Sequence, residues 1–256
     1  MIHANPSIFS GELSAFLASK HRFYACPTHR VRNILGVPFA AGNGHPFTEG
    51  MIDYFNDSTL DASHTRMKKF YDRFQPPTLF DAFFQTRDHP LIKTLSDDTL
   101  NPLTEISSKD YLVPWVEATI PMGGFGQNMP KGEGSHYLGP VSHRHLSSEY
   151  ARIKTVVKSI HTHGFDVDKQ TDTIRGYFLT HEDDSVCIIV GGNHRVGALA
   201  ALRSKTIPVE CHPDRPTHVT LDDLHDWPMV QNGRFSPDLA KAIFLRFFWS
   251  PMKPLI

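Results

Sequence analysis

The chain has 256 residues, with 26 basic and 27 acidic side chains and a net charge of −1 at neutral pH. That length buries a substantial core unaided, and the charge balance argues against a DNA partner, whose affinity comes from neutralised phosphates. Three cysteines without paired spacing, Cys26, Cys187 and Cys211, favour a reducing compartment, by default the cytoplasm, over a disulfide framework; no apolar run approaches the ~18 residues of a membrane span, and the opening residues lack the basic-then-apolar order of a signal peptide.

The first hundred residues read as helical and aromatic. Thr48 is placed to cap a short helix through TEGMIDYFN, its hydroxyl taking a free backbone N–H. LDASHTRMKKFYDRF sets Leu60, Met67, Phe70, Tyr71 and Phe74 on one face at helical spacing, and Pro76 and Pro77 end it. TLFDAFF gives a third helical piece. An aromatic stripe of this kind is expected to be core rather than a ligand face. The tract HRFYACPTHRVRNILG is locally basic, which suits either an anion or a solvated edge.

From about residue 110 the texture changes. YLVPWVEATI is β-branched and aromatic enough for a strand, with Pro114 placing it at an edge or a break. The glycine-rich stretch PMGGFGQNMPKGEGSHYLGP reads as a long loop, either a lid or a surface segment, in which Lys131 could reach an anion. SSEYARIKTVVKSIHTHGF predicts a helix capped by Ser147 or Ser148, with Ile153, Val156, Val157 and Ile160 as its apolar stripe and Gly164 as its end. TIRGYFLT and SVCIIV then read as strands around the turn HEDD, TIPVECHP as a short returning strand, and SPDLAKAIFLRFF as a closing helix that starts at Ser236. Sixteen histidines raise the question of a metal. The close pairs His143-Arg-His145 and His161-Thr-His163 come without Cys-x-x-Cys or His-Glu-x-x-His, so they read as surface or structural residues.

The most informative stretch is VCIIVGGNHRVGALAAL, a strand, a Gly-Gly turn and a helix rich in small residues. A helix start offers N–H groups without internal partners and the positive end of the peptide dipoles. Gly191 and Gly192 allow a ligand to approach the backbone, Asn193 is placed to cap, His194 adds an imidazole donor, and Arg195 adds a planar charged fork. Gly197, Ala198, Ala200 and Ala201 are small enough for the helix to lie close to a sheet. By mechanics alone, this is either an anion site or a well-formed connection.

IIVGGNHRVGALAALRSKTIPV resembles the signature turn of the ParB/sulfiredoxin superfamily, in which a strand leads to a Gly-x-His-Arg or Gly-x-Arg-Arg turn, a small-residue helix and a strand often ending in Ile-Pro-Val. The preceding helix is similar to the one ending Ser-Ile-x-x-x-Gly in ParB-type domains. The resemblance covers about residues 110 to 212. It implies an α/β (α+β) fold with a small mixed sheet for the domain placed at residues 106–256, and it says little about residues 1–105, which read as a helical N-terminal region from their own pattern.

In that superfamily the turn grips nucleotide phosphates: partition proteins bind CTP, sulfiredoxins use ATP to activate a sulfinic acid, and a free-serine kinase phosphorylates a small hydroxyl compound. Asn193 stands where sulfiredoxins carry a reactive cysteine, and the stretch after His212 leaves little room for the DNA reader of partition proteins. The Gly-Gly-Asn-His-Arg turn is nearest to the Gly-His-His-Arg of the serine kinase. The resemblance therefore implies a nucleotide-dependent phosphotransferase, using ATP, ADP or CTP with Mg2+ and a small-molecule acceptor. Gly191, Gly192, Asn193, His194 and Arg195 would hold the phosphates with help from His143 and Arg144, and Glu149 and His194 would act in catalysis. The alternative is a non-catalytic nucleotide-binding or DNA-associated regulator, for which Arg152, Lys154 and Lys158 would form a basic face.

Overall fold

The computed structural model describes residues 7–84, 113–116 and 135–249. In chain order the described elements begin with β1 (Ile8–Phe9), α1 (Leu13–Leu17), β2 (Phe23–Pro27), β3 (Val31–Arg32), α2 (Pro46–Asn56), α3 (Arg66–Arg73) and α4 (Leu79–Phe84). After these come α5 (His143–His163), β4 (Arg175–His181), β5 (Asp184–Gly191), α6 (Asn193–Ala201), β6 (Thr206–Cys211), β7 (His218–Thr220), α7 (Pro228–Gln231) and α8 (Pro237–Arg246).

The strands form one mixed sheet in the order β1-β2-β6-β4-β5-β3, with β7 also on β4. β4 and β5 are an antiparallel hairpin, and Gly176–Leu179 and Val186–Ile189 are buried throughout rather than alternately. Continuous burial means that both faces of the sheet centre are covered. Adjacent residues of β4 show the two coverings, because side chains alternate across a strand. Tyr177 accepts the indole N–H of Trp115 at 3.1 Å, and Trp115 packs on Trp227, Phe244 and Phe247. Its neighbour Phe178 meets Phe16 of α1 and Tyr24 of β2 edge-on.

The region expected to be helical thus contributes strands as well. β2 pairs antiparallel with β6, and β3 pairs parallel with β5, so the sheet crosses the expected boundary at residue 105. Phe23–Pro27 has too few residues for a visible period and lies in a tract whose charge masks its alternation. Val113–Val116 is a buried turn, not a strand; the rest of that expected strand, Lys131 and most of the glycine-rich stretch lie outside the described residues.

Helix starts move as well. α5 begins at His143, with the Ser142 hydroxyl accepting the N–H of His145 at 2.9 Å, more than a turn before the expected caps. Thr48 lies inside α2 and donates to the Phe39 carbonyl at 3.0 Å. Ser236 caps α8 as expected. α2, α5 and α6 pack on one another. The small residue Gly197 faces α2 rather than the sheet: a Cβ there would lie 3.2 Å from that of Phe47. That close approach sets the start of α2 beside the Gly-Gly turn.

Candidate anion-binding site

The turn between β5 and α6 is built on Gly192, which has φ 82° and ψ 21° and stands at the helix N-cap position without a side-chain cap. A Cβ there would sit 3.1 Å from the Ile174 Cα and 3.3 Å from the Thr173 carbonyl oxygen. The Gly192 carbonyl accepts the N–H groups of Arg195 at 2.9 Å and Val196 at 3.1 Å. The N–H groups of Asn193 and His194 have no acceptor among the described residues. Two donors at the positive end of a helix are therefore open to a ligand. Asn193 is not the cap. It occupies the first helical position, and its Nδ2 donates to the Tyr137 hydroxyl at 3.2 Å.

These donors lie in the wall of a cavity of about 750 Å³, within the roughly 300–1,000 Å³ usual for ligand sites. Gly191 to Arg195 form one side; Phe47, His136, Tyr137, Arg152 and Asp172 contribute to the rest. Arg195 pairs with the exposed carboxylate of Asp172. Arg152 of α5 is largely solvated, 3.8 Å from a Glu149 oxygen. Two guanidinium groups and the open amides give the cavity the donors that an oxyanion requires.

The segment carrying His136 and Tyr137 is strapped to α3. Tyr71 Oη donates to the His136 carbonyl at 3.0 Å, and the Gly139 N–H donates to the Phe74 carbonyl at 2.8 Å. A Cβ on Gly139 would overlap the Tyr71 carbonyl oxygen at 1.7 Å, so only glycine permits this approach. Burial pushes the Tyr137 phenol up to about 12 despite the hydrogen bond from Asn193, which keeps it a neutral donor at physiological pH.

Glu149 is buried on α5, at 5% exposure, and its Oε2 lies 2.7 Å from His194 Nε2 of α6. Burial alone would raise the Glu149 carboxyl; the His194 hydrogen bond, with the nearby His194, His136 and Arg152 charges, outweighs it and holds the group below the usual carboxylate range. Glu149 is thus an anion at neutral pH, and its oxygens can accept a proton or a hydrogen bond but not donate one. His194 stacks on Phe47 with ring centroids 4.5 Å apart and planes 12° apart, which fixes the imidazole. Phe47 joins the stack because Gly197 lets α2 close in. His136 Nδ1 is 3.8 Å from the same Glu149 oxygen, and the His136 and His145 rings are 5.2 Å apart.

Of the residues expected from sequence, Gly191, Gly192, Asn193, His194 and Arg195 line the cavity, and Glu149 joins them through His194. His143 and Arg144 do not: they are exposed on the first turn of α5, away from the lining. No family model matches the sequence, and no curated protein or solved structure matches the chain. Sequence reasoning missed Phe47, His136, Tyr137 and Asp172, which reach the site through tertiary packing. Arg152 carried a signal, since it follows Glu149 by one helical turn.

Proposed function

We propose that the protein is a nucleotide-dependent phosphotransferase of ParB/sulfiredoxin type acting on a hydroxyl of a small molecule. The observation that carries this reading is the pair of open N–H groups of Asn193 and His194 in the cavity wall, left by the left-handed turn at Gly192. The nucleotide phosphates take those amides, with Arg195 and Arg152 as charged donors. The proton of the acceptor hydroxyl passes to the His194–Glu149 pair, of which His194 lines the cavity. That oxygen bonds to the terminal phosphorus, the bond from phosphorus to the bridging oxygen breaks, and the shortened nucleotide leaves with the electron pair. Binding and alignment supply most of the rate in such a transfer.

Magnesium prefers oxygen ligands and commonly comes with the phosphates. The cavity offers it the Asp172 carboxylate, and bound there it would neutralise phosphate charge. The phosphate donor is ATP, ADP or CTP.

Titration of each nucleotide with Mg2+ tests the cradle. Binding is expected for the wild type and is expected to weaken at least tenfold in Arg195→Ala; equal binding by both removes the phosphate role. Label transfer from the nucleotide to a panel of hydroxylated metabolites tests the chemistry, with turnover in Glu149→Gln expected to fall at least 100-fold, as for loss of a general base. A second reading, a nucleotide-gated DNA-associated regulator, draws on Arg152 and Lys158, both exposed on α5. Salt-sensitive DNA binding without label transfer would favour it.

A further inference from the structure

We infer that His136, His145 and Glu149 form a binding site for an imidazole-seeking divalent transition metal of the zinc type. One ligand atom from each of the three lies within 4.8 Å of the other two. His145 and Glu149 are four residues apart on α5, so they project from one helix face one above the other. His136 comes from the strapped segment opposite, with its position set by Tyr71 and Gly139. Ligand atoms of a tetrahedral ion with bonds of about 2.0–2.1 Å stand about 3.3 Å apart; His136 Nδ1 and the Glu149 oxygen are already at 3.8 Å, so small side-chain rotations close the set.

Two further observations agree with a cation here. His136 Nδ1 is buried without a hydrogen-bond partner among the described residues, which leaves a lone pair or proton unused. The Glu149 carboxylate receives a hydrogen bond from His194 Nε2, and an outer donor of that kind fixes a ligating carboxylate and tunes its basicity. Two nitrogens and one oxygen suit zinc, cobalt or iron and do not suit magnesium, which requires oxygens. Spacing along the chain conceals the site, because His136 lies nine residues before His145 in a stretch without a helical or zinc-ligand period.

The site stands without any nucleotide, so it is tested without one. The full chain, stripped with chelator and dialysed, is titrated calorimetrically with Zn2+, and in parallel with Co2+ followed by visible absorption. One equivalent is expected, with Co2+ bands of a four- or five-coordinate nitrogen–oxygen site and no comparable binding of Mg2+. His136→Ala and His145→Ala are each expected to lose about 100-fold in affinity or more, beyond the roughly 10- to 100-fold typical of an outer-shell loss. His161→Ala, on the exposed end of α5, is expected to bind as the wild type does. Thermal unfolding of each variant without metal separates ligand loss from misfolding, and the Co2+ spectrum of the wild type is independent of any variant. Absence of a stoichiometric site in the wild type, or unchanged affinity in folded His136→Ala and His145→Ala, overturns the inference. Nucleotide titrations in chelator report separately on the proposed phosphate cradle.

Discussion

Gly192 decides whether the cavity wall presents donors or hides them. Its φ of 82° belongs to the left-handed region, which costs a residue with a Cβ about 1–2 kcal/mol. The 3.1 Å approach to Ile174 adds crowding against backbone that cannot swing aside. Gly191 is a contrasting neighbour, with only the Arg175 Cβ at 3.5 Å from the position of an added methyl. Gly192→Ala is therefore expected to lose about 2 kcal/mol of stability in urea unfolding, and Gly191→Ala to stay within about 0.5 kcal/mol. Equal stability of the two would mean that the corner relaxes without strain.

At the scale of elements, α2 and α3 pack together and are joined by buried charges. Glu49, fully buried in α2, accepts the Gly42 N–H at 2.6 Å and pairs with Arg66. The Arg66 Nε also donates to Asp53 at 2.7 Å. Removing one partner of a buried pair leaves the other charge without compensation, which costs about 3–5 kcal/mol. Arg66→Met should show a loss of that size in denaturant midpoint, and adding Glu49→Gln should recover part of it. If the double variant is no more stable than the single one, the buried charge is not the cause.

The same elements show what the sequence could disclose. β4, β5 and β6 were readable as short apolar, β-branched runs bounded by turn residues, and α6 as a small-residue helix after the Gly-Gly turn, and so the open corner at 191–195 was found. The pairing of β2 with β6 was not, since register between distant strands leaves no local trace. The Ser142 cap was missed because His143, Arg144 and His145 offer no apolar period to continue the helix backwards. His136 and Tyr137 came to the site through contacts with Tyr71, Phe74 and Asn193, each set by tertiary packing rather than by neighbours in the chain.

Across the whole molecule, the sheet takes strands from both sides of residue 105, and α2 closes on α6. Such a molecule should unfold as one unit. It also carries a pH sensitivity. His45 is buried, stacked on Phe39 at 3.8 Å, and burial, with the nearby His194, pushes its pKa down to about 3 from 6.5. The unfolded chain takes up this proton first as pH falls, so the contribution of neutral His45 is complete above about 6.5 and is lost progressively towards 3. At pH 5 the loss is about 2 kcal/mol. Urea midpoints at pH 7.5 and 5 should therefore fall further in the wild type than in His45→Phe, with tryptophan fluorescence and far-ultraviolet dichroism giving the same midpoint. A pH response unchanged by the substitution would assign the sensitivity to other groups.

The pairing of β2 with β6 also bears on how the chain is made. Pro27 emerges from the ribosome long before its partner Thr206, and at roughly 5–20 residues per second the interval is on the order of ten to forty seconds. During that time Phe23 and Tyr24, buried in the finished protein, have no sheet to enter. The nascent amino-terminal third is thus a natural client for chaperones, and slowed translation between these two strands would lengthen its exposure.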